Sequence, residues 1–253
     1  MARSIIFLTT PTSATGSMFR SLAIIGQPRY RPLEWIADFW TNDRMEAIRS
    51  EVPPPSDHLV MHNAPERFNT ATRLRDYRFI LNTRDPRDLL CNQFQWQFVH
   101  PMLGETPEQE ARRRQRISEA GIDKWVLEQD FRPLLRGFLN VARKIAPPDR
   151  IFIGYAMHCM HFDEVTERAA AFLDCPLEAL PAERRAELDS ERVANLPGNS
   201  KWIGQFWPGS DTAPGRHRQE LRPETISILT QRYAVYLDFL RRMDDPRMAH
   251  LYD

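Results

Sequence analysis

The chain has 253 residues, 42% of them hydrophobic and 27% charged, which is typical of a soluble globular protein with a large core in one domain. The 34 Lys and Arg residues balance the 34 Asp and Glu residues, which argues against a nucleic-acid-binding or anionic-membrane-binding surface. No apolar run approaches the length of a membrane span, and Cys91, Cys159 and Cys175 lack metal-binding spacing, so we expect a protein of the reducing cytoplasm.

The first predicted elements are a strand, a loop and a helix near the start of the chain. Ile5 to Leu8 is a short apolar run that predicts a buried strand of a parallel sheet, and Met18 to Ile25 predicts a helix closed by Gly26. The loop between them consists of small residues, several with hydroxyl groups: Thr12, Ser13, Ala14, Thr15, Gly16 and Ser17. Because the first N–H groups of a helix are unpaired, this loop can cradle an anion. A turn that merely uses small residues is about as good an interpretation of this stretch alone.

The loop differs from a Walker A sequence. That motif, G-x-x-x-x-G-K-[ST], needs two glycines and a lysine, whereas this loop contains only Gly16 and no lysine. Phosphoryl transfer from ATP or GTP is therefore disfavoured.

A second strand is predicted farther along the chain. After an irregular link, the pattern predicts a helix from Leu33 to Arg49, and three prolines at 53–55 end it. Residues 57–62 then predict a strand that ends at His62. Ligands collect at the carboxyl ends of parallel strands, so His62 is a candidate general base. A structural histidine is at least as common at such a position.

A third strand, over residues 77–82, leads into a charged segment. Pro86 and Asp88 suit the start of a helix that continues to His100. Arg84 therefore lies at another strand-to-helix junction, where its guanidinium group suits a phosphate. Alternatively, Arg84 pairs with Asp85 or Asp88.

The rest of the chain is predicted to be mainly helical. Residues 101–148 are mostly helical with a solvated run at 112–116, a fourth strand covers 150–155, and helices cover 164–173 and 224–242. Residues 195–214 are rich in Gly, Pro and Ser with several aromatics, which is typical of a loop or lid. His158 and His161 have the spacing of a metal pair, but no third ligand is evident, so no metal site is predicted.

The loop and the second and third strand ends resemble signatures of sulfotransferases that use 3′-phosphoadenosine 5′-phosphosulfate (PAPS). The loop is similar to T-x-P-[KR]-S-G-T, with matches at Thr9, Pro11, Ser13 and Thr15 and with Thr12 and Ala14 in place of the basic residue and the glycine. The strand end at His62 resembles the family's histidine-x-proline motif, with one extra residue before Pro65. The segment 84–88 is similar to R-[ND]-P-[RK]-D, and Asn92 replaces the family's serine eight positions after the arginine.

Two later segments extend the resemblance. The strand ending at Tyr155 is similar to the family's strand that contacts adenosine. The segment 215–224 resembles G-x-W-[KR]-x-x-[FL]-[TS]-x-E, with matches at Gly215, Arg218, Leu221 and Glu224 and with His217 in place of the aromatic. The basic R-K-G triplet that precedes this segment in cytosolic members is absent.

The resemblance implies a single sulfotransferase-like domain over residues 1–253, with a mostly parallel central sheet flanked by helices in a P-loop-like α/β fold. It implies transfer of the sulfuryl group from PAPS to a hydroxyl or amine of a small-molecule, glycan or lipid acceptor, with PAP as the product. His62 would be the base, and residues 101–148 would cover the acceptor. The implied cofactor ligands are Thr12, Ser13, Ala14, Thr15, Gly16, Ser17, Arg84, Asn92, Tyr155, Arg216, His217 and Arg218.

The missing basic residue at position 12 leaves alternatives open. A cation there would stabilise the charge that develops on the leaving phosphate. Arg20, Lys201 and Arg218 are candidates to replace it. If none does, the chain is a non-catalytic protein that binds PAP or a similar nucleotide, and another P-loop-like transferase acting on nucleotides is a further alternative.

Overall fold

The structure, a computed structural model, describes residues 2–34, 55–68, 73–99, 102, 104–195 and 213–253. Its centre is a five-stranded sheet in the order β2-β3-β1-β4-β5. Every ladder between these strands is parallel, which confirms the predicted α/β class. The strands β1 to β5 are, in chain order, Ile5–Thr9, Arg31–Glu34, His58–His62, Arg78–Asn82 and Arg150–Phe152.

The central strands are buried on both faces, which explains their continuous apolar runs. Ile5 to Leu8 of β1 are fully buried, as are Leu59 and Val60 of β3. Leu8 pairs with His62 on one side and with Leu81 on the other, so β1, β3 and β4 finish at the same end of the sheet. The loop after β1 starts at this carboxyl end.

Helices make up most of the remaining described residues. Within the described ranges there are ten α-helices, α1 to α10: Thr15–Gly26, Pro86–Trp96, Pro107–Glu128, Arg132–Lys144, Tyr155–Met160, Phe162–Leu173, Ala182–Ser190, His217–Glu220, Pro223–Arg232 and Ala234–Met243. Short 3₁₀ helices cover Pro65–Arg67, Leu74–Asp76, Pro147–Asp149, Leu177–Ala179, Val193–Asn195 and Pro246–Tyr252. Among these described segments, no helix has the length and apolar character needed to cross a bilayer.

Four element predictions need correction. Leu33 lies in β2 rather than in a helix, because it pairs with Val60 of β3. β2 is an edge strand, where a proline such as Pro32 is tolerated. The fourth strand ends at Phe152, and Tyr155 is the first residue of α5. The predicted helix over 224–242 is two helices, α9 and α10, separated at Tyr233. The helix that starts at Pro86, α2, ends at Trp96 and not at the predicted His100. The predicted helix beyond residue 34 and the loop at 196–212 lie outside the described residues.

The run at 112–116 is only partly solvated. Arg113 is 9% exposed, and its guanidinium donates to both carboxylate oxygens of Glu105 at 2.9 and 3.0 Å and to the Gln97 carbonyl at 2.7 Å. Arg113, which was predicted to lie on a solvated face, therefore joins α3 to the segment that precedes it. Its neighbours Arg112 and Arg116 are exposed, as predicted.

The chain divides into two compact units. The sheet unit comprises Met1–Thr83 and Pro133–Gln205, and it contains all five strands. The helical unit comprises Arg84–Arg132 and Phe206–Asp253. The single domain expected from the chain length stays a prediction.

Candidate functional site

The loop after β1 has the backbone of an anion cradle. Thr12 and Ala14 both have left-handed dihedrals, with φ of 60° and 58°, and Ala14 is the N-cap of α1. The first intrahelical bond runs from the Met18 N–H to the Ala14 carbonyl at 2.8 Å, and no side chain caps the helix. The backbone N–H groups that precede Met18 in the first turn therefore suit an anion.

Hydroxyl groups hold this loop against the strand ends. Thr10 Oγ1 lies 2.7 Å from Ser13 Oγ and 2.8 Å from Thr83 Oγ1, and these side chains are buried. Thr15 Oγ1 donates to the Thr10 carbonyl at 3.1 Å. The hydroxyls of Ser13 and Thr15, predicted to bind the cofactor, therefore bond to the loop itself. The backbone is the part of the loop best placed to meet an anion.

The left-handed conformation of Ala14 yields a stability prediction. An L-residue in this region costs about 1–2 kcal/mol that glycine avoids, although glycine loses about 0.4–1 kcal/mol through unfolded-state entropy. We expect Ala14→Gly to leave the free energy of unfolding unchanged or to raise it by up to about 1 kcal/mol. The exposed mid-helix control Ala111→Gly should lower it by about 1 kcal/mol, as measured by urea unfolding. An equal loss in both variants would contradict the loop geometry.

Two other loop-proximal side chains have protein partners. Ser17 Oγ donates to the Glu191 carbonyl at 3.0 Å and lies 3.4 Å from His158 Nε2. Arg20 binds the Glu191 carboxylate through Nε at 2.5 Å and Nη2 at 2.8 Å. The first candidate replacement for the missing loop cation is thus neutralised by Glu191, a partner that no sequence motif indicated.

The remaining candidate replacements stay predictions. Lys201 lies outside the described residues. Arg218 is exposed in the helical unit, where its Nη2 donates to the His250 carbonyl at 2.7 Å. Thr12 itself carries no charge, so the loop anion would be held mainly by backbone N–H groups.

His62 lies at the carboxyl end of β3, as predicted. It pairs with Leu8 of β1 and is 5% exposed, and its ring lies 5.1 Å from that of Phe68. Burial lowers the pKa of His62 to about 4, while a hydrogen bond with its own backbone raises it slightly. The imidazole is therefore neutral at physiological pH, which is the form that can accept a proton.

In the helical unit, the segment 84–88 contains two arginines with different partners. The Arg87 guanidinium binds the Asp85 carboxylate at 2.6 to 3.2 Å, and it also donates to the Thr230 hydroxyl and to the carbonyls of Leu251 and Asp253. Asp85 caps α2 by accepting from the Arg87 N–H at 2.8 Å. Arg87 therefore joins the start of α2 to the last residues of the chain.

Asp88 organises the late basic segment around α2. Its Oδ2 accepts from the Gly215 N–H at 2.7 Å, and its Oδ1 accepts from the His217 N–H at 3.0 Å and lies 2.6 Å from His217 Nδ1. Arg84 Nη2 lies 3.8 Å from Asp88 Oδ2, and Arg84 is 2% exposed. Burial alone would raise the pKa of Asp88, but the bonds from His217 and the charge of Arg84 lower it.

Arg216 is a buried cation with unused donors. It is 1% exposed, and its Nε donates to Glu220 Oε1 at 2.6 Å. Neither Nη atom of Arg216, nor Nε2 of the buried His217, has a hydrogen-bond partner among the residues that the structure describes. The sequence resemblance indicated Arg216 and His217 as cofactor ligands, but it did not indicate that Glu220 pairs with Arg216.

Other predicted residues occupy less distinctive positions. Asn92 is half-buried on α2, one turn after Asp88. Tyr155 is 7% exposed at the start of α5, and its N–H donates to the Thr83 carbonyl at 2.9 Å. His158 is buried beside Ser17, whereas His161 lies 3.1 Å from the Glu164 carboxylate, so the two histidines have different partners.

No protein-family model and no curated protein sequence matches the chain.

Solved structures match over nearly its whole length. Mouse sulfotransferase SULT7A1 complexed with PAP has 14% identity, and the match covers 99% of this chain and 87% of that one with a TM-score of 0.63. Retinol dehydratase with androsterone and the inactive cofactor PAP has 13% identity, coverage of 96% and 82%, and a TM-score of 0.58. Retinol dehydratase with retinol and PAP has 14% identity, coverage of 97% and 83%, and a TM-score of 0.56. At this identity the likeness shows the fold, and the predicted sulfotransferase-like α/β fold is confirmed.

Proposed function

We propose that this protein is a sulfotransferase that transfers the sulfuryl group of PAPS to an acceptor hydroxyl or amine. One observation carries the proposal: within the fold of PAP-bound sulfotransferases, an anion-cradle loop and His62 lie at the carboxyl ends of two paired strands, β1 and β3. Arg84 follows the neighbouring strand β4 by two residues. These are the residues that the sequence resemblance indicated.

Each residue has a chemical role in this proposal. PAPS supplies an activated sulfuryl group, and its reaction develops charge on the leaving 5′-phosphate. The backbone N–H groups of residues 15–17 would bind that phosphate at the positive end of the α1 dipole. Neutral His62 would accept the acceptor proton as the new bond forms. Arg84 would bind the 3′-phosphate through its planar guanidinium.

The acceptor is assigned only by class. Two of the structural neighbours hold androsterone or retinol, which are apolar molecules with a hydroxyl group. We propose a small apolar alcohol of this kind. The aromatic residues of 101–148 do not support this choice, because Trp125 and Phe138 are buried, and Trp125 packs on Phe94 with a centroid distance of 5.7 Å.

A second candidate function is a PAP-binding protein without catalysis. Position 12 is a threonine, and the Arg20 guanidinium is engaged by Glu191. Loss of one such charge-stabilising donor costs about 3 kcal/mol of barrier, so a protein with this loop can retain binding while turning over slowly. The presence of neutral His62 favours the enzyme, since a binder needs no base.

The test of the proposal is nucleotide choice. Because the loop lacks the Walker lysine and Arg84 suits a 3′-phosphate, PAP should stabilise the protein against thermal unfolding far more than ATP does. At a concentration of a hundred times Kd, PAP should add about 2.7 kcal/mol of stability, which gives a clear shift in Tm. Equal shifts with ATP and PAP would refute the proposal.

Arg84→Ala should separate the 3′-phosphate from the rest of the nucleotide. We expect PAP affinity to fall by about 1.5–3 kcal/mol, because a charge-assisted phosphate contact is lost. Affinity for adenosine 5′-phosphosulfate, which lacks the 3′-phosphate, should barely change. Arg242→Ala, at an exposed arginine of α10 in the same unit, is the matched control and should bind both ligands normally. Equal losses for the two ligands, measured by calorimetry, would make Arg84 a structural residue.

A further inference from the structure

Gly137 of α4 approaches a neighbouring backbone more closely than a residue with a side chain could. A Cβ added there would lie 2.4 Å from Glu66 Cα, 2.6 Å from Glu66 N and 2.9 Å from the Pro65 carbonyl carbon. Glycine destabilises a helix interior relative to alanine, so its place inside α4 indicates a packing requirement. That requirement is the close approach of α4 to the 3₁₀ helix Pro65–Arg67.

This 3₁₀ helix connects His62 to Phe68, whose ring packs on the imidazole. The Phe68 N–H donates to the Pro65 carbonyl at 3.3 Å, which ties Phe68 to the start of the 3₁₀ helix. The Phe68 ring lies 5.1 Å from the His62 ring and 6.2 Å from the ring of Phe79 in β4, measured between centroids. A displacement of the 3₁₀ helix would therefore move Phe68 and change the surroundings of the imidazole.

The helix α4 has little freedom to make room for a larger residue at 137. Its buried side chains form one stripe: Leu135, Phe138, Leu139 and Ala142. Residue 137 lies on nearly the opposite side of the helix. A retreat of α4 from the 3₁₀ helix would push this stripe into a densely packed interior, so the single turn of 3₁₀ helix is the element that should move. A methyl group at 137 needs about 1 Å more space to reach an ordinary carbon–carbon contact.

We infer that Gly137 is a positioning residue for His62, and that it acts through the 3₁₀ helix and Phe68. Its missing side chain lets the 3₁₀ helix pack on α4, and this packing holds the Phe68 ring against the imidazole. The role of His62 as a base rests on the proposed function, whereas the packing itself does not.

The first test is the turnover of Gly137→Ala with labelled PAPS and small alcohols at pH 7.5. Since a misplacement of about 1 Å can lower a rate about 10²-fold, we expect kcat to fall about 10- to 100-fold. PAP affinity, measured by calorimetry, should stay close to that of the wild type, because the proposed nucleotide ligands are unchanged. A parallel loss of kcat and PAP affinity would indicate general disruption and would overturn the inference.

Gly26→Ala is the matched control. It adds the same methyl group to a buried helical glycine of the same unit, but its Cβ would meet only side-chain carbons, of Tyr30 at 3.4 Å and Leu173 at 3.6 Å. We expect kcat and PAP affinity to match those of the wild type. An equal loss of kcat in the two variants would remove the special role of Gly137.

Nuclear magnetic resonance measures the packing without any turnover. The His62 ring protons, identified by their loss in His62→Gln, lie close enough to the Phe68 ring to be shifted by its ring current. Their resonances should move in Gly137→Ala and stay in place in Gly26→Ala. Unchanged resonances in folded Gly137→Ala would overturn the inference.

Phe68→Leu keeps the inference testable if Gly137→Ala does not fold. This variant removes the aromatic ring but keeps a large apolar side chain in the same place. It should lower kcat and leave PAP affinity unchanged, because the imidazole loses the ring that holds it. A wild-type kcat in Phe68→Leu would show that His62 does not need this packing.

The two measurements separate this inference from the proposed function. If the wild type transfers no sulfuryl group, but the His62 resonances move in Gly137→Ala and not in Gly26→Ala, the packing of His62 stands and the sulfotransferase proposal fails. If the wild type is active and Gly137→Ala has the same kcat, the sulfotransferase proposal stands and Gly137 has no positioning role, whether or not the resonances move.

Discussion

Replacing His62 by alanine is expected to lower the turnover of sulfuryl transfer about 10²- to 10⁴-fold, the usual contribution of a general base. The imidazole lies at the carboxyl end of β3, beside β1 and the loop that follows it, and burial keeps it neutral. PAP affinity should change little, because in the proposed mechanism the ring contacts the acceptor. Turnover with labelled PAPS and a panel of small alcohols measures the first effect, and calorimetry with PAP measures the second.

Two further observations distinguish a base from a positioning residue. His62→Gln keeps polarity but cannot take the proton, so it should be nearly as inactive as the alanine variant. Since burial lowers the pKa of His62 to about 4, its base form is lost only as the pH falls toward that value. The acid limb of kcat/KM should therefore lie well below pH 6.5. Wild-type turnover in His62→Gln, or a limb centred near 6.5, would move the base to another group.

The strands were predictable because their signal is local. Ile5 to Leu8 and the runs before His62 and Asn82 are apolar without alternation, as strands buried on both faces must be. The strand at Leu33 was missed because its stability comes from pairing with Val60, which no local pattern contains. Tyr155 was placed in a strand because the apolar run continues past Phe152, although the backbone turns into α5 there.

The geometry of the candidate site was predictable where a motif fixes the backbone, and it was unpredictable where a side chain bonds to a residue far along the chain. The loop after β1 was recognised from its small residues, and its left-handed Ala14 occupies the position of the family's glycine. Ser17 and Arg20 both bond to Glu191, far along the chain, so their engagement was invisible in the sequence. Likewise, Arg87 differs from Arg84, which we propose binds phosphate, through partners at the end of the chain that were not visible in the sequence.

That distinction gives the largest expected stability effect. Arg87→Met should lower the free energy of unfolding by about 3–5 kcal/mol, because removal of one partner of a buried ion pair leaves the other charge uncompensated. The charge left uncompensated is that of the Asp85 carboxylate, which is 4% exposed. The carbonyls of Leu251 and Asp253 also lose a hydrogen-bond donor. Urea unfolding measures the loss.

Arg84→Met is the matched control, since it removes an equally buried arginine from the same segment. Asp88, whose carboxylate lies 3.8 Å from the Arg84 guanidinium, keeps the bonds from Gly215 and His217 in this variant. We therefore expect Arg84→Met to lose less than half as much stability as Arg87→Met. Arg84→Met should also bind PAP more weakly, whereas Arg87→Met should bind PAP normally at temperatures where it is folded. The double variant Asp85→Asn, Arg87→Met should recover part of the stability, because the stranded charge is gone. A stability loss in Arg84→Met as large as that in Arg87→Met would show that both arginines hold the fold, and the 3′-phosphate would then have to be bound by other residues.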